Sequence, residues 1–127
     1  DERTLQPGDK NPFAKVRGDA LELRADFEPG SAREVVFRIR GSTVVYDIAR
    51  EELVVNGHVA PAPLRNGRQS IILYCDRTGL EVFASEGLTY VPKPFQPRAE
   101  DRSVEVEVKG GSAKFQKLQA SPLRSIW

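Results

Sequence analysis

Apolar positions in this chain recur every second residue, the spacing of strands. Leu21, Leu23, Ala25 and Phe27 alternate with Glu22, Arg24 and Asp26, which predicts a strand with one wet face. Val35, Phe37 and Ile39 alternate with Val36, Arg38 and Arg40 in the next, and Thr43–Ile48 forms a third after Gly41-Ser42. Val104, Val106 and Val108 against Glu105, Glu107 and Lys109 give the clearest half-buried strand. No window of about ten residues carries the i, i+3, i+4, i+7 stripe of an amphipathic helix.

Turn residues divide these runs. Asn56-Gly57 between Leu53-Val54-Val55 and His58-Val59-Ala60 is a strong hairpin signal, and Pro61 and Pro63 mark that ribbon as an edge. The central hairpin is expected at Ile71–Cys75 and Leu80–Ala84, around Asp76-Arg77-Thr78-Gly79. In it Asp76 bonds its own backbone and Gly79 takes a positive φ, Leu80 and Val82 share one face, and Glu81 and Phe83 share the other. Glu86-Gly87 turns the chain into Leu88–Val91; Pro92, Pro94 and Pro97 then predict a connection, because proline removes a ladder donor. Gly110-Gly111 leads into Ala113–Leu118, and a last strand is expected around Leu123–Trp127. Residues 1–19 read as a linker or edge segment, with Phe13 and Val16 as possible anchors, and 20–127 as one domain. About nine to eleven short strands without helices predict an all-β fold, a two-sheet antiparallel β-sandwich of the jelly-roll or concanavalin-like kind.

Composition narrows the function. The 127 residues suit one domain, and no apolar run approaches the ~18 residues of a membrane-spanning helix. Nineteen basic against eighteen acidic residues leave a charge of +1, which argues against nucleic acid as a partner. The single cysteine, Cys75, makes no internal disulfide and shares a face with Ile71 and Leu73, so it reads as a buried hydrophobe. The one histidine, His58, sits beside a turn, which leaves no metal site or Ser-His-Asp triad, and no cofactor motif is present. The chain opens with Asp1 and holds no methionine, so it reads as a fragment or processed product of a longer protein.

The run Asp76-Arg77-Thr78-Gly79-Leu80-Glu81-Val82-Phe83 resembles the Asp-Arg-Ser-Ser-x-Glu-Val-Phe signature of the β-sandwich that follows the catalytic propeller in glycoside hydrolase family 32, the invertase, levanase and inulinase family. The chain departs from it at Gly79, where a second serine is usual. Asn11-Pro12-Phe13, Leu21–Phe27, Gly41–Asp47, Lys109–Phe115 and Leu123–Trp127 carry the same resemblance, from about Pro7 onward. The resemblance implies a non-catalytic C-terminal module acting with an upstream β-propeller of the same chain on sucrose, levan or inulin. It also implies a secreted or periplasmic parent. The family's catalytic Asn-Asp-Pro-Asn, Arg-Asp-Pro and Glu-Cys motifs are absent from these residues, so no catalytic residue carries over.

Two roles then compete for Asp76, Arg77 and Glu81. In one, Asp76 caps the turn while Arg77 and Glu81 pair or bond backbone groups. In the other, the trio with Tyr46, Tyr74 or Tyr90 lines a shallow site for fructose-containing saccharides, since acids and arginine bind hydroxyl pairs and aromatic faces meet sugar C–H surfaces. An oligomerisation module is a weaker third expectation. Arg38 and Arg40, placed on one strand face, suit a solvated surface or an interface with the propeller, and a continuous exposed apolar patch is expected where the propeller docks. Trp127 is expected to pack on the sandwich or on that domain.

Overall fold

The computed structural model describes residues 2–123. Eleven strands form two antiparallel sheets. In chain order they are β1 (Arg3–Leu5), β2 (Leu21–Glu28), β3 (Glu34–Ile39), β4 (Ser42–Asp47), β5 (Glu52–Val55) and β6 (His58–Pro61). Then come β7 (Gln69–Cys75), β8 (Gly79–Ala84), β9 (Thr89–Pro94), β10 (Val104–Lys109) and β11 (Ala113–Pro122), with a 3-10 turn at Ser85–Gly87 before β9. The six-stranded sheet runs β1-β11-β2-β7-β8-β9 and the five-stranded sheet β10-β3-β4-β5-β6. The expected strand around Leu123–Trp127, and Trp127 with it, lies outside the described residues, apart from Leu123, which follows the end of β11.

The alternation read from sequence is the alternation that packs. Leu21, Leu23, Ala25 and Phe27 of β2 are fully buried while Glu22, Arg24, Asp26 and Glu28 lie on the opposite face. Opposite them Phe37, Ile39, Val44, Tyr46 and Leu53 fill the core from the five-stranded sheet. Phe27 joins the layers, meeting Tyr46 edge-on at 6.1 Å and Phe115 at 5.2 Å between centroids. Burying one such side chain is worth about 1.5–3 kcal/mol, so the register of each strand is fixed by its apolar face.

Four details differ from the sequence reading. Pro92 and Pro94 lie within β9, opposite Glu81 and Gly79, and not in a connection. β9 is an edge, so the positions without an N–H face away from β8 and no ladder bond is lost. Arg40 is not on a strand face with Arg38: with φ of 47° at Arg40 and 87° at Gly41, the two form the turn that joins Ile39 to Ser42. Two more turns of this kind, Asn56-Gly57 with φ of 46° and 86° and Asn66-Gly67 with φ of 54° and 74°, join Val55 to His58 and Arg65 to Arg68; the sequence reading has the first and not the second. Gly79 does not take a positive φ; it starts β8. By contrast Gly111 is indispensable, since a Cβ there would fall 2.2 Å from the Ser31 carbonyl oxygen.

Residues 2–19 contribute strand and core. β1 pairs with β11, and Leu5 and Phe13 are buried. Asn11 reaches the other sheet, donating to the Val104 carbonyl at 2.9 Å and accepting from Val106 N at 3.2 Å.

Candidate functional site

The β7–β8 hairpin builds the site from its turn outward. Asp76 N donates to Gly79 O at 3.1 Å, and Asp76 Oδ1 accepts from Thr78 N at 2.8 Å, Thr78 Oγ1 at 2.9 Å and Gly79 N at 3.0 Å. The backbone N–H of Thr78 foremost, against partial burial, holds the Asp76 carboxyl below its usual range. Asp76 therefore caps the turn, as one of the two sequence readings has it. Arg77, at the exposed tip, makes no ion pair or side-chain hydrogen bond among the described residues, so the expected Arg77–Glu81 pair does not form.

Glu81 stands on the outer face of β8, between Tyr74 on β7 and Pro92 on β9. Its Oε2 accepts from the Tyr90 hydroxyl at 2.5 Å. Tyr90 stacks on Phe83 at 4.8 Å and 26°, and Phe83 meets Tyr74 edge-on at 6.1 Å, so three aromatic rings cross β7, β8 and β9 in a row. The Tyr74 hydroxyl accepts from Arg24, which also pairs with Glu22 at 3.0 Å. Cross-strand neighbours on one sheet face meet in this way because their Cβ atoms lie about 5 Å apart.

A groove of about 980 Å³ runs along the end of this hairpin, lined by Tyr74, Asp76, Arg77 and Glu81 together with Asp19, Lys93 and Leu123. Four of the six residues expected at a site thus share one concavity, and Tyr90 joins through its bond to Glu81. Tyr46 does not. It is fully buried in the core, its hydroxyl donates to Ala62 O at 2.7 Å, and burial raises its pKa. Sequence reasoning missed Asp19 and Lys93, because it put the first in a linker and the second in a connection. The available signal was the Pro92-Lys93-Pro94 spacing, which on an edge strand turns each proline N away from the ladder and pairs Lys93 with Leu80.

The groove leaves Asp76 Oδ2, Glu81 Oε1, the Arg77 guanidinium and the Lys93 ammonium without partners among the described residues. Such charged donors and acceptors beside aromatic rings suit the hydroxyls and C–H faces of a saccharide. Cys75 forms part of the groove wall but is buried, and desolvation pushes its thiol up to about 11, away from nucleophile chemistry. Among the described residues no group of three or more His, Cys, Asp and Glu side chains is placed to hold a metal. Among the described residues, the exposed large hydrophobic side chains are Val59, Leu88, Tyr90 and Leu123, spread over β6, the turn before β9, β9 and the end of β11.

Residues 1–122 match the family model described as "Glycosyl hydrolases family 32 C terminal". The chain is 29% identical over 147 aligned positions to levanase of Bacillus subtilis, covering 98% of this chain and 22% of that protein. It thus spans about a fifth of that relative. Among solved structures, exo-inulinase from Aspergillus awamori superposes with a TM-score of 0.80 at 18% identity, over all of this chain and 29% of that one. The carbohydrate binding module CBM66 from Bacillus subtilis superposes with a TM-score of 0.63 at 12% identity, over 86% of this chain and 79% of that one. At these identities the likeness of the structures is a likeness of fold.

Proposed function

The chain belongs to the family of C-terminal domains of family 32 glycosyl hydrolases, and on that premise we propose that it is a non-catalytic module that steadies and orients a fructan-cleaving catalytic domain carried on the same polypeptide. The observation that carries this reading is the match of 98% of the chain to only 22% of levanase, the proportion of an accessory domain to a whole enzyme. The site chemistry agrees. Glycoside hydrolysis needs one carboxyl whose pKa is raised so that it donates a proton to the leaving oxygen. The Asp76 carboxyl is shifted the opposite way, below its usual range, and its turn bonds hold it ionised. Incubating the chain alone with sucrose, levan and inulin tests this: no reducing sugar is expected, and release that disappears in Glu81→Gln would refute it.

The groove favours a second reading, a binding site for fructose units. Asp76, Arg77, Glu81 and Lys93 hold free hydrogen-bonding capacity beside Tyr74 and Tyr90, and the sandwich shares its fold with a module named for carbohydrate binding. Binding of fructose or levan oligosaccharides at millimolar concentration, lost in Glu81→Gln, is the expected result. Unchanged spectra at those concentrations would remove this reading and leave the first untouched.

A further inference from the structure

Beyond the groove, across Asp19 and Arg77, lies a separate hollow of about 470 Å³ whose charged walls are Arg40, Arg77, Arg102 and Asp19. Three guanidinium groups face one carboxylate there. Asp19 is already engaged, its Oδ1 2.9 Å from Arg102 Nε. Asp101 and Asp76, the nearby acids, spend Oδ1 on their own turns, bonding Ser103 and Thr78 respectively. Among the residues that line the hollow, Asp19 is the one acid, and the other two turn their bonded carboxylate oxygens to their own loops.

Arg40 is the unusual member. It is 2% exposed, yet it forms no ion pair among the described residues. Buried arginine is rare without a carboxylate partner. Its Nε donates to Asp101 O at 2.7 Å, Nη1 to Asp19 O at 2.8 Å and Nη2 to Arg98 O at 3.0 Å. A guanidinium carries about five N–H donors, and three are used, so about two remain unpaired on a group that lines the hollow. Arg77 likewise has no partner among the described residues.

We infer that this hollow is an oxyanion pocket for a phosphate group, with the spare N–H groups of Arg40 at its floor and Arg77 and Arg102 at its rim. The three guanidinium groups come from three segments: the β3–β4 turn, the β7–β8 turn and the stretch before β10. Donors arriving from several directions suit a tetrahedral anion with acceptor oxygens all round, whereas a planar carboxylate fills one arginine fork. Because Arg77 borders both hollows, a sugar phosphate would set its ester in this pocket and its hydroxyls in the groove. The pocket does not depend on the saccharide reading of the groove.

The test is an NMR titration of the 127-residue chain with sodium phosphate, with sodium chloride at equal ionic strength as control, and then with a hexose 6-phosphate. Saturable shifts confined to Arg40, Arg77 and residues 96–103 are expected, weakened roughly tenfold by Arg102→Gln. Arg102 is half-exposed and among the described residues its side chain pairs only with the half-exposed Asp19, so the folded spectrum of that variant should persist. Tighter binding of the hexose phosphate would assign the ester as the ligand; equal binding would assign the inorganic ion. Arg102→Gln should leave any fructose response intact, and Glu81→Gln should leave the phosphate response intact, so either site can fail alone. Shifts matched by chloride, absent at millimolar phosphate, or unchanged in both Arg77→Gln and Arg102→Gln would overturn the assignment.

Discussion

The Tyr90 hydroxyl donates to Glu81 across 2.5 Å, on the outer face of the six-stranded sheet, and this bond takes the place of the Arg77–Glu81 pair that the order of charges around the hairpin suggests. The turn aims Arg77 off the hairpin end, while Glu81 stands within β8 beside the strand that brings Tyr90. A phenol that donates to a carboxylate resists losing its proton. The Tyr90 pKa is accordingly raised above its usual 10.0, with the Glu81 bond as the largest cause. The stabilisation from this bond is present below pH 10.0 and is lost as pH rises through the raised value. Ultraviolet titration should show two phenols ionising late in the native chain, those of Tyr46 and Tyr90, and one of them moving back toward 10.0 in Glu81→Gln. An unchanged titration would mean the bond does not persist in water.

Asp76 shows the opposite sign. Its carboxyl is held below the usual 3.8, chiefly by the Thr78 N–H, so its contribution is present above that value and disappears as pH falls through the folded one. Asp76→Asn should cost about 1 kcal/mol at neutral pH, below the roughly 1.5–3 kcal/mol of charged hydrogen bonds because the turn is open to water. The difference from wild type should vanish in acid. Urea unfolding at pH 7 and below pH 3 checks both limits.

Removing Arg40 should be far more costly. Arg40→Ala removes three bonds to main-chain carbonyls that tie the N-terminal segment and the stretch before β10 to the end of β3, stranding those of Asp19 and Asp101 and leaving that of Arg98 its bond from Asp101 N at 3.1 Å. A loss of roughly 2–3 kcal/mol is expected, since each stranded acceptor is worth about 1 kcal/mol or more and the third bond is lost besides. Arg40→Lys should recover part of it. Chemical denaturation of the three proteins gives the comparison.

Cys75 should be silent until the chain unfolds. Burial pushes its thiol from 9.0 to about 11, so at pH 8 a thiol reagent meets neither a thiolate nor an open path. Native protein should react at the unfolding-limited rate and denatured protein at once. Folding stability should also fall as pH climbs from 9.0 toward about 11, because the unfolded thiol ionises first.

Much of the architecture is visible in the alternation of side chains, because a sandwich has one buried face per strand and period two records it. Leu21, Leu23, Ala25 and Phe27, then Ile71, Leu73 and Cys75, and Val104, Val106 and Val108 are alternating sets in which every member is buried. The misreadings cluster where backbone geometry overrides side-chain pattern. Arg40 continues an alternating run but occupies a left-handed turn, and Pro92 and Pro94 look like strand breakers but are harmless on an outer edge. The site was partly legible for the same reason. Tyr74, Asp76, Arg77 and Glu81 are local to one hairpin, whereas Asp19 and Lys93 reach the groove through long-range packing that no local pattern records. Tyr46 failed as a site residue because its inward register, opposite Val35 and Leu53, buries it.

The central claim, that this is a supporting module with no hydrolytic chemistry of its own, is tested most directly by measuring thermal unfolding and sucrose hydrolysis of the proposed parent hydrolase with and without these residues. The account predicts that the catalytic domain alone melts several degrees lower and loses activity on warming, while its KM for sucrose stays near that of the longer protein. A truncated enzyme that melts at the same temperature and keeps its activity would contradict it.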